Sequence, residues 1–109
     1  MNRGDIFVCQ PVGSYGKTRP ALIVQSDSMV AARDSVTVCL LTSEIIDAPI
    51  FRINVSPESG NGLEKLSAVM TDKLLTLPKE KLDRKIGKLS DEAMKKVDKA
   101  LMTWLGLGV

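Results

Sequence analysis

Arg3-Gly4-Asp5-Ile6-Phe7-Val8 and, a few residues on, Lys17-Thr18-Arg19-Pro20-Ala21-Leu22-Ile23-Val24-Gln25-Ser26-Asp27 decide how this chain folds. Ile6 to Cys9 is rich in strand-forming residues. Ala21 to Gln25 is an almost unbroken apolar run, which predicts a strand buried on both faces. Gln10 to Thr18 lies between them and carries Pro11, Gly13, Ser14 and Gly16, the punctuation of a loop. The stretch therefore reads as buried strand, exposed mobile loop, buried strand. Arg19 falls at the edge of that loop, and Pro20 fixes the backbone just after it. A cation on a rigid strand beside a loop suits gripping an anion such as phosphate. It is also the profile of an ordinary surface arginine, the commoner case for a lone cation.

Outward from this hairpin, Ser26 to Ser35 is polar and turn-like, with a short helical turn expected over Met29-Val30-Ala31-Ala32. Val36 to Leu41 is a second continuous apolar strand. Ile50 to Val55 alternates, with Phe51, Ile53 and Val55 on one side and Ile50, Arg52 and Asn54 on the other, as in a half-buried strand. Ser56 to Asn61 marks a turn. Leu66 to Met70 and Leu74 to Leu77 read as two short strands around Thr71-Asp72-Lys73. Pro78 is expected to start a short helix, with one or two turns within Lys79 to Lys85. Ser90 is a candidate N-cap, followed by Asp91 and Glu92 where the helix dipole favours anions. Met94, Val97, Leu101 and Trp104 then form one apolar stripe, and Gly106 ends the helix. Trp104 reads as core or subunit-interface packing rather than a platform for bases. Short strands first and one amphipathic helix last predict an α+β domain, mainly β, built on a small barrel of mostly antiparallel strands and spanning 1–109.

The chain of 109 residues suffices for a single modest core. No apolar run approaches the roughly 20 residues of a membrane span, and no signal peptide is apparent, so a cytoplasmic protein is expected. Cys9 and Cys39 each sit inside an apolar run with no metal-ligand spacing, so they read as buried thiols. There is no histidine, which excludes histidine-based acid–base chemistry and argues against a transition-metal site. Net charge is only +2. Lys79 to Lys99 holds eight basic and five acidic side chains, a solvated helical face before it is a nucleic-acid patch. A nucleic-acid enzyme of this charge must concentrate its cations locally.

No Gly-rich phosphate loop or nucleophile elbow is present, and Ser14 and Ser43 have no histidine to activate them. Any catalysis must use Arg, Lys, Asp, Glu, Thr or Tyr. RNA cleavage is open to that set, because RNA brings its own nucleophile, the 2′-hydroxyl. The protein then supplies alignment and charge stabilisation. Arg19 can clamp two phosphate oxygens, and Thr42, ending a core strand, can donate a hydroxyl hydrogen bond to the same group. Taken by itself, Thr42 also fits a hydroxyl that caps the following turn. Asp72 can accept the 2′-hydroxyl proton, hold Arg19 in place, or simply bond a local turn. Ser14, Tyr15 and Lys17 in the loop, with Ser43 and Lys73, are candidates for RNA contact, Tyr15 as an exposed stacking ring.

Several of these segments, in order, resemble the MazF/PemK family of bacterial toxins. They are Arg3-Gly4-Asp5-Ile6, Pro11 and Gly13-Ser14, Lys17 to Val24, Val36 to Ser43, Gly62-Leu63, Ser67 to Lys73 and Ile86-Gly87-Lys88-Leu89. The resemblance implies an SH3-like barrel closed by a C-terminal helix, a homodimer, and a metal-independent, cofactor-free endoribonuclease. Its substrate would be single-stranded RNA, with messenger RNA as the expected class, and its products a 2′,3′-cyclic phosphate and a free 5′-hydroxyl. It also implies that Arg19 and Thr42 are the functional pair, and that an antitoxin with an acidic, partly disordered segment covers the groove. One branch of the family uses a loop histidine and a second arginine two residues before the acidic position. Here there is no histidine, and Met70 stands in that arginine's place. The alternative function is a non-enzymatic toxin on the same barrel, such as a DNA gyrase poison. In that case Trp104-Leu105-Gly106 would matter more than Arg19.

Overall fold

The computed structural model describes residues 1–10 and 17–108. The expected contacts of Ser14 and Tyr15 fall outside them. Six strands run β1 (Asp5–Cys9), β2 (Arg19–Ile23), β3 (Ser35–Thr42), β4 (Arg52–Val55), β5 (Ser67–Pro78) and β6 (Leu82–Lys88), with helices α1 (Asp27–Ala32) and α2 (Asp91–Leu105). They form one sheet in the order β4-β5-β3-β2-β1-β6, with every pairing antiparallel. The α+β, mainly β architecture is the expected one. The ladder ends at β4 and β6, so among the described residues the sheet does not close into a hydrogen-bonded ring.

The continuous apolar strands behave as their composition requires. In β3, Val36, Val38 and Leu40 enter one core cluster, while Cys39 and Leu41 enter another. In β2, Ala21 and Ile23 join the first and Leu22 the second. A period of two buried on both faces explains why these strands show no polar alternation. The first cluster is closed by Val30 of α1 with Leu77 and Leu82, the second by Val97 of α2 with Leu63 and Leu89. Cys9 and Cys39 are free and buried, and burial pushes the Cys39 thiol up to about 12.

Helix α2 follows its signals. Ser90 Oγ accepts from the Ala93 N–H at 3.1 Å, and Gly106 ends the helix with a positive φ of 70°. Val97 and Ala100 are its buried residues, flanked by half-buried Met94 and Leu101. Trp104 is 48% exposed and packs on Phe51 with ring centroids 5.3 Å apart.

Two expectations are corrected. Leu66–Met70 and Leu74–Leu77 are not two strands about a turn. Thr71-Asp72-Lys73 runs straight through a single twelve-residue strand, β5. The break that sequence places there is a register shift opposite, between Cys39 and Leu41 of β3. Nor is Lys79–Lys85 helical beyond a 3-10 turn at Lys79–Lys81, because the chain re-enters the sheet as β6. Among the described residues β6 is an edge strand paired with β1 alone, and the charges that make it look unlike a strand are those that keep an exposed edge from pairing further.

The Arg3-Gly4-Asp5 opening is a clasp. Arg3 Nε donates to Val24 O at 2.8 Å and its Nη2 to Asp98 at 2.5 Å, tying the chain start to the end of β2 and to α2. Buried Asp5 accepts from the Asn2 N–H at 2.8 Å and pairs with Lys85 at 3.2 Å.

Candidate nucleic-acid site

Arg19 begins β2 and Thr42 ends β3. The pairs Ala21↔Leu40, Leu22↔Cys39 and Ile23↔Val38 set the register, and carrying it two residues further places Arg19 opposite Thr42. Both residues line a cleft of about 420 Å³ with Lys17, Ser43, Lys65 and Arg84. Both also line an adjoining cleft of about 310 Å³ with Glu44, Arg52, Met70 and Lys73. Of the candidates named from sequence, the fold thus brings Arg19, Thr42, Lys17, Ser43 and Lys73 to one surface.

The two central side chains differ in what they have to offer. Arg19 Nε is buried and has no hydrogen-bond partner among the described residues. A buried N–H of a charged group left without an acceptor is unfavourable by roughly 1–3 kcal/mol or more, and an anion in the cleft would relieve it. Thr42 is 6% exposed, and its Oγ1 accepts from the Glu44 N–H at 3.1 Å. The turn-capping reading and the donor reading are therefore compatible, since a hydroxyl that accepts one bond still has its proton to donate.

Asp72 does not hold Arg19. Its carboxylate takes a two-pronged bond from Arg52, Nε to Oδ1 at 2.7 Å and Nη2 to Oδ2 at 2.9 Å. That pairing holds the Asp72 carboxyl below the usual range and raises the Arg52 guanidinium. The cause is register: β4 and β5 pair Arg52 with Met70, so Asp72 is the diagonal neighbour of Arg52 across the two strands. Arg52, Lys65 and Arg84 were missed as site residues in sequence. The visible signal for Arg52 is a cation amid alternating apolar residues, but its partner twenty residues away depends on a strand register that sequence does not display.

The far wall of the larger cleft is the turn containing Gly62 and Leu63, with Glu64 and Lys65 following. Buried Asn61 organises it, accepting from the N–H groups of Glu58 at 3.2 Å and Leu63 at 3.0 Å and donating to Ser56 O at 3.0 Å. The turn lies directly on β6, where a Cβ at Gly62 would sit 2.1 Å from Ile86 O and one at Gly87 2.3 Å from the Asn61 carbonyl carbon. Among the described residues that line the two clefts, Lys17, Arg19, Arg52, Lys65, Lys73 and Arg84 stand against the acids Glu44 and Glu64, with the charge of Arg52 also met by Asp72 behind it. This is the local concentration of positive charge that the near-neutral chain needs if it handles nucleic acid. Among the described residues no group of acidic, cysteine or histidine side chains could hold a metal ion. No described helix is long and apolar enough to cross a membrane.

Comparison with known proteins places this surface in context. Residues 2–105 match the model of the PemK-like, MazF-like toxin of type II toxin–antitoxin systems. The chain is 41% identical over 108 residues to a protein of Mycolicibacterium smegmatis named probable endoribonuclease MazF, with 98% of each chain covered. Its fold superposes on the Mycobacterium tuberculosis toxin MazF-mt6 with a TM-score of 0.82 at 26% identity, covering 96% of this chain and 99% of that one. It superposes equally well, at 0.82 and 28% identity, on a mycobacterial endoribonuclease solved in complex with its cognate antitoxin, covering 100% of this chain and 98% of the other. By the extent of these matches, the chain belongs to the PemK-like, MazF-like toxin family of type II toxin–antitoxin systems.

Proposed function

We propose that this protein is a toxin that cuts single-stranded RNA at a defined sequence without a metal ion, with Arg19 and Thr42 as its catalytic residues. The observation that carries this reading is that the buried Nε of Arg19 has no hydrogen-bond partner among the described residues, on a surface lined by cations where the strand register sets Arg19 across from Thr42. In the reaction, O2′ gives up its proton as it bonds to phosphorus, the P–O5′ bond breaks, and O5′ takes up a proton. A 2′,3′-cyclic phosphate and a 5′-hydroxyl result. Arg19 suits the charge that develops on the non-bridging oxygens, because its planar fork donates to two of them at once. Thr42 suits a third hydrogen bond from the neighbouring strand. Lys17, Ser43 and Lys73 flank the pair and are suited to contacts along the RNA backbone.

A cytoplasmic homodimer whose activity is held in check by an antitoxin fits this reading. One relative is an endoribonuclease solved with its cognate antitoxin. An acidic antitoxin segment would compete for the same cationic cleft as RNA.

Incubation with a long single-stranded RNA of mixed sequence in EDTA, followed by mapping of the ends, tests the reading. Discrete cuts with cyclic-phosphate ends are expected. Arg19→Ala should reduce them by about 100- to 1,000-fold, the usual effect of removing one charge-stabilising donor. Growth arrest that persists unchanged in Arg19→Ala would instead point to a non-enzymatic poison.

A further inference from the structure

Arg52 has an unusual setting for its strand. β4 is an edge of the sheet, and the residues on either side in the same alternation face solvent, with Ile50 68% exposed and Asn54 exposed. The Arg52 side chain is only 11% exposed. It is locked from two directions. Asp72 takes its Nε and one Nη2 hydrogen, and the guanidinium carbon lies 6.0 Å from the centroid of the Phe51 ring, which itself packs on Trp104. The backbone beneath is fixed too, since the Thr71 N–H and the Thr71 hydroxyl both donate to Phe51 O, at 3.2 Å and 2.6 Å. Burying such an ion pair adds little net stability, because the lost hydration offsets most of the attraction. A rigid guanidinium at a cleft wall is what prior alignment toward an anion requires. Only two of its five N–H donors are engaged by Asp72.

Arg52 lines the same 310 Å³ cleft as Arg19 and Thr42. We propose that Arg52 is a second phosphate-gripping side chain of this cleft and that Asp72 is its positioning residue, not the group that takes the 2′-hydroxyl proton; this rests on the ribonuclease reading above. Both carboxylate oxygens of Asp72 are already acceptors for Arg52. The same bonds hold that carboxyl below the usual carboxylate range, which makes it a weak proton acceptor.

The test compares wild type, Asp72→Asn and the charge-neutral double variant Arg52→Gln/Asp72→Asn on an RNA oligonucleotide containing a mapped cut. Asp72→Asn should stay within about tenfold of wild type at saturating RNA, because the amide oxygen still accepts one of the two guanidinium hydrogen bonds. A loss of about 100- to 10,000-fold, the scale of a removed general base, would overturn the positioning role. The double variant should lose about 100-fold or more at saturating RNA. Its affinity for the same oligonucleotide with a 2′-deoxy residue at the cut should lose about 0.7 from the slope of log affinity against log salt, one phosphate contact on a single strand. A double variant within about threefold of wild type, with an unchanged slope, would overturn the phosphate role. If the double variant fails to unfold cooperatively on heating, the readout moves to the unaltered protein. There the guanidinium nitrogen resonances of Arg52 should shift when the 2′-deoxy oligonucleotide is added, and unmoved resonances would overturn the proposal. Wild-type protein that cuts no RNA removes the ribonuclease reading and this one together, whereas cutting with an unaffected double variant removes this one only.

Discussion

The Thr42 hydroxyl already accepts one hydrogen bond, from the Glu44 N–H, and that bond restricts where its own proton can be delivered. Thr42→Ser keeps the hydroxyl and should retain cleavage within about tenfold, whereas Thr42→Val keeps the shape without it and should lose about 100-fold. Thr42→Val should also lower stability by about 1 kcal/mol, through the orphaned Glu44 N–H. Parallel cleavage and thermal unfolding measurements separate the two effects. Asp72 gives a second residue-scale expectation. Its folded pKa is depressed, so its stabilising contribution is complete above the unfolded value of about 4 and is lost as pH falls below it. The stability gap between wild type and Asp72→Asn should be flat near neutrality and shrink below about pH 4 in denaturant titrations. Arg19 and Thr42 were legible as candidates because each is fixed by its own strand. Arg52 was not, because its setting belongs to the pairing of β4 with β5.

At the scale of elements, legibility followed hydrophobic pattern. β2 and β3 are apolar on both faces, and α2 has a cap, a stripe and a stop, so their residues announce them. β6 and the middle of β5 are the opposite case. Thr71-Asp72-Lys73 looks like a turn, yet Thr71 is buried and bonded to Phe51 O and Asp72 is neutralised by Arg52, so the polar residues continue the strand. Leu82-Asp83-Arg84-Lys85-Ile86-Gly87-Lys88 has few apolar residues and is a strand by virtue of its pairing with β1. Its contact with the Asn61–Leu63 turn yields an expectation confined to this element pair. Gly87→Ala would press a methyl group against backbone, not against a flexible side chain. It should destabilise the protein by roughly 3 kcal/mol, at the upper end of overpacking effects, measured by denaturant unfolding. The same push displaces the cleft wall that carries Lys65, so cleavage should fall in whatever fraction remains folded.

At the scale of the whole molecule, the question is where fifteen basic side chains go when thirteen acidic ones nearly cancel them. Sequence groups the cations by position, and Lys79 to Lys99 is the densest run. The fold divides that run: Arg84 on β6 reaches the larger cleft, while Lys95 and Lys99 are exposed on α2 and line neither cleft. Lys17, Lys65 and Lys73, distant from one another in the chain, join Arg84 around Arg19. Binding of a single strand releases roughly 0.7 counterion per phosphate neutralised, so the salt dependence of affinity counts the cations in contact rather than the net charge. Lys95→Gln with Lys99→Gln should therefore leave both affinity and its salt slope unchanged. Lys65→Gln with Arg84→Gln removes the same formal charge and should weaken binding to an uncleavable RNA and flatten the slope by up to about 1.4. Equal effects from the two pairs would mean that RNA responds to the overall field of the protein, and the cleft would lose its claim to be the binding groove.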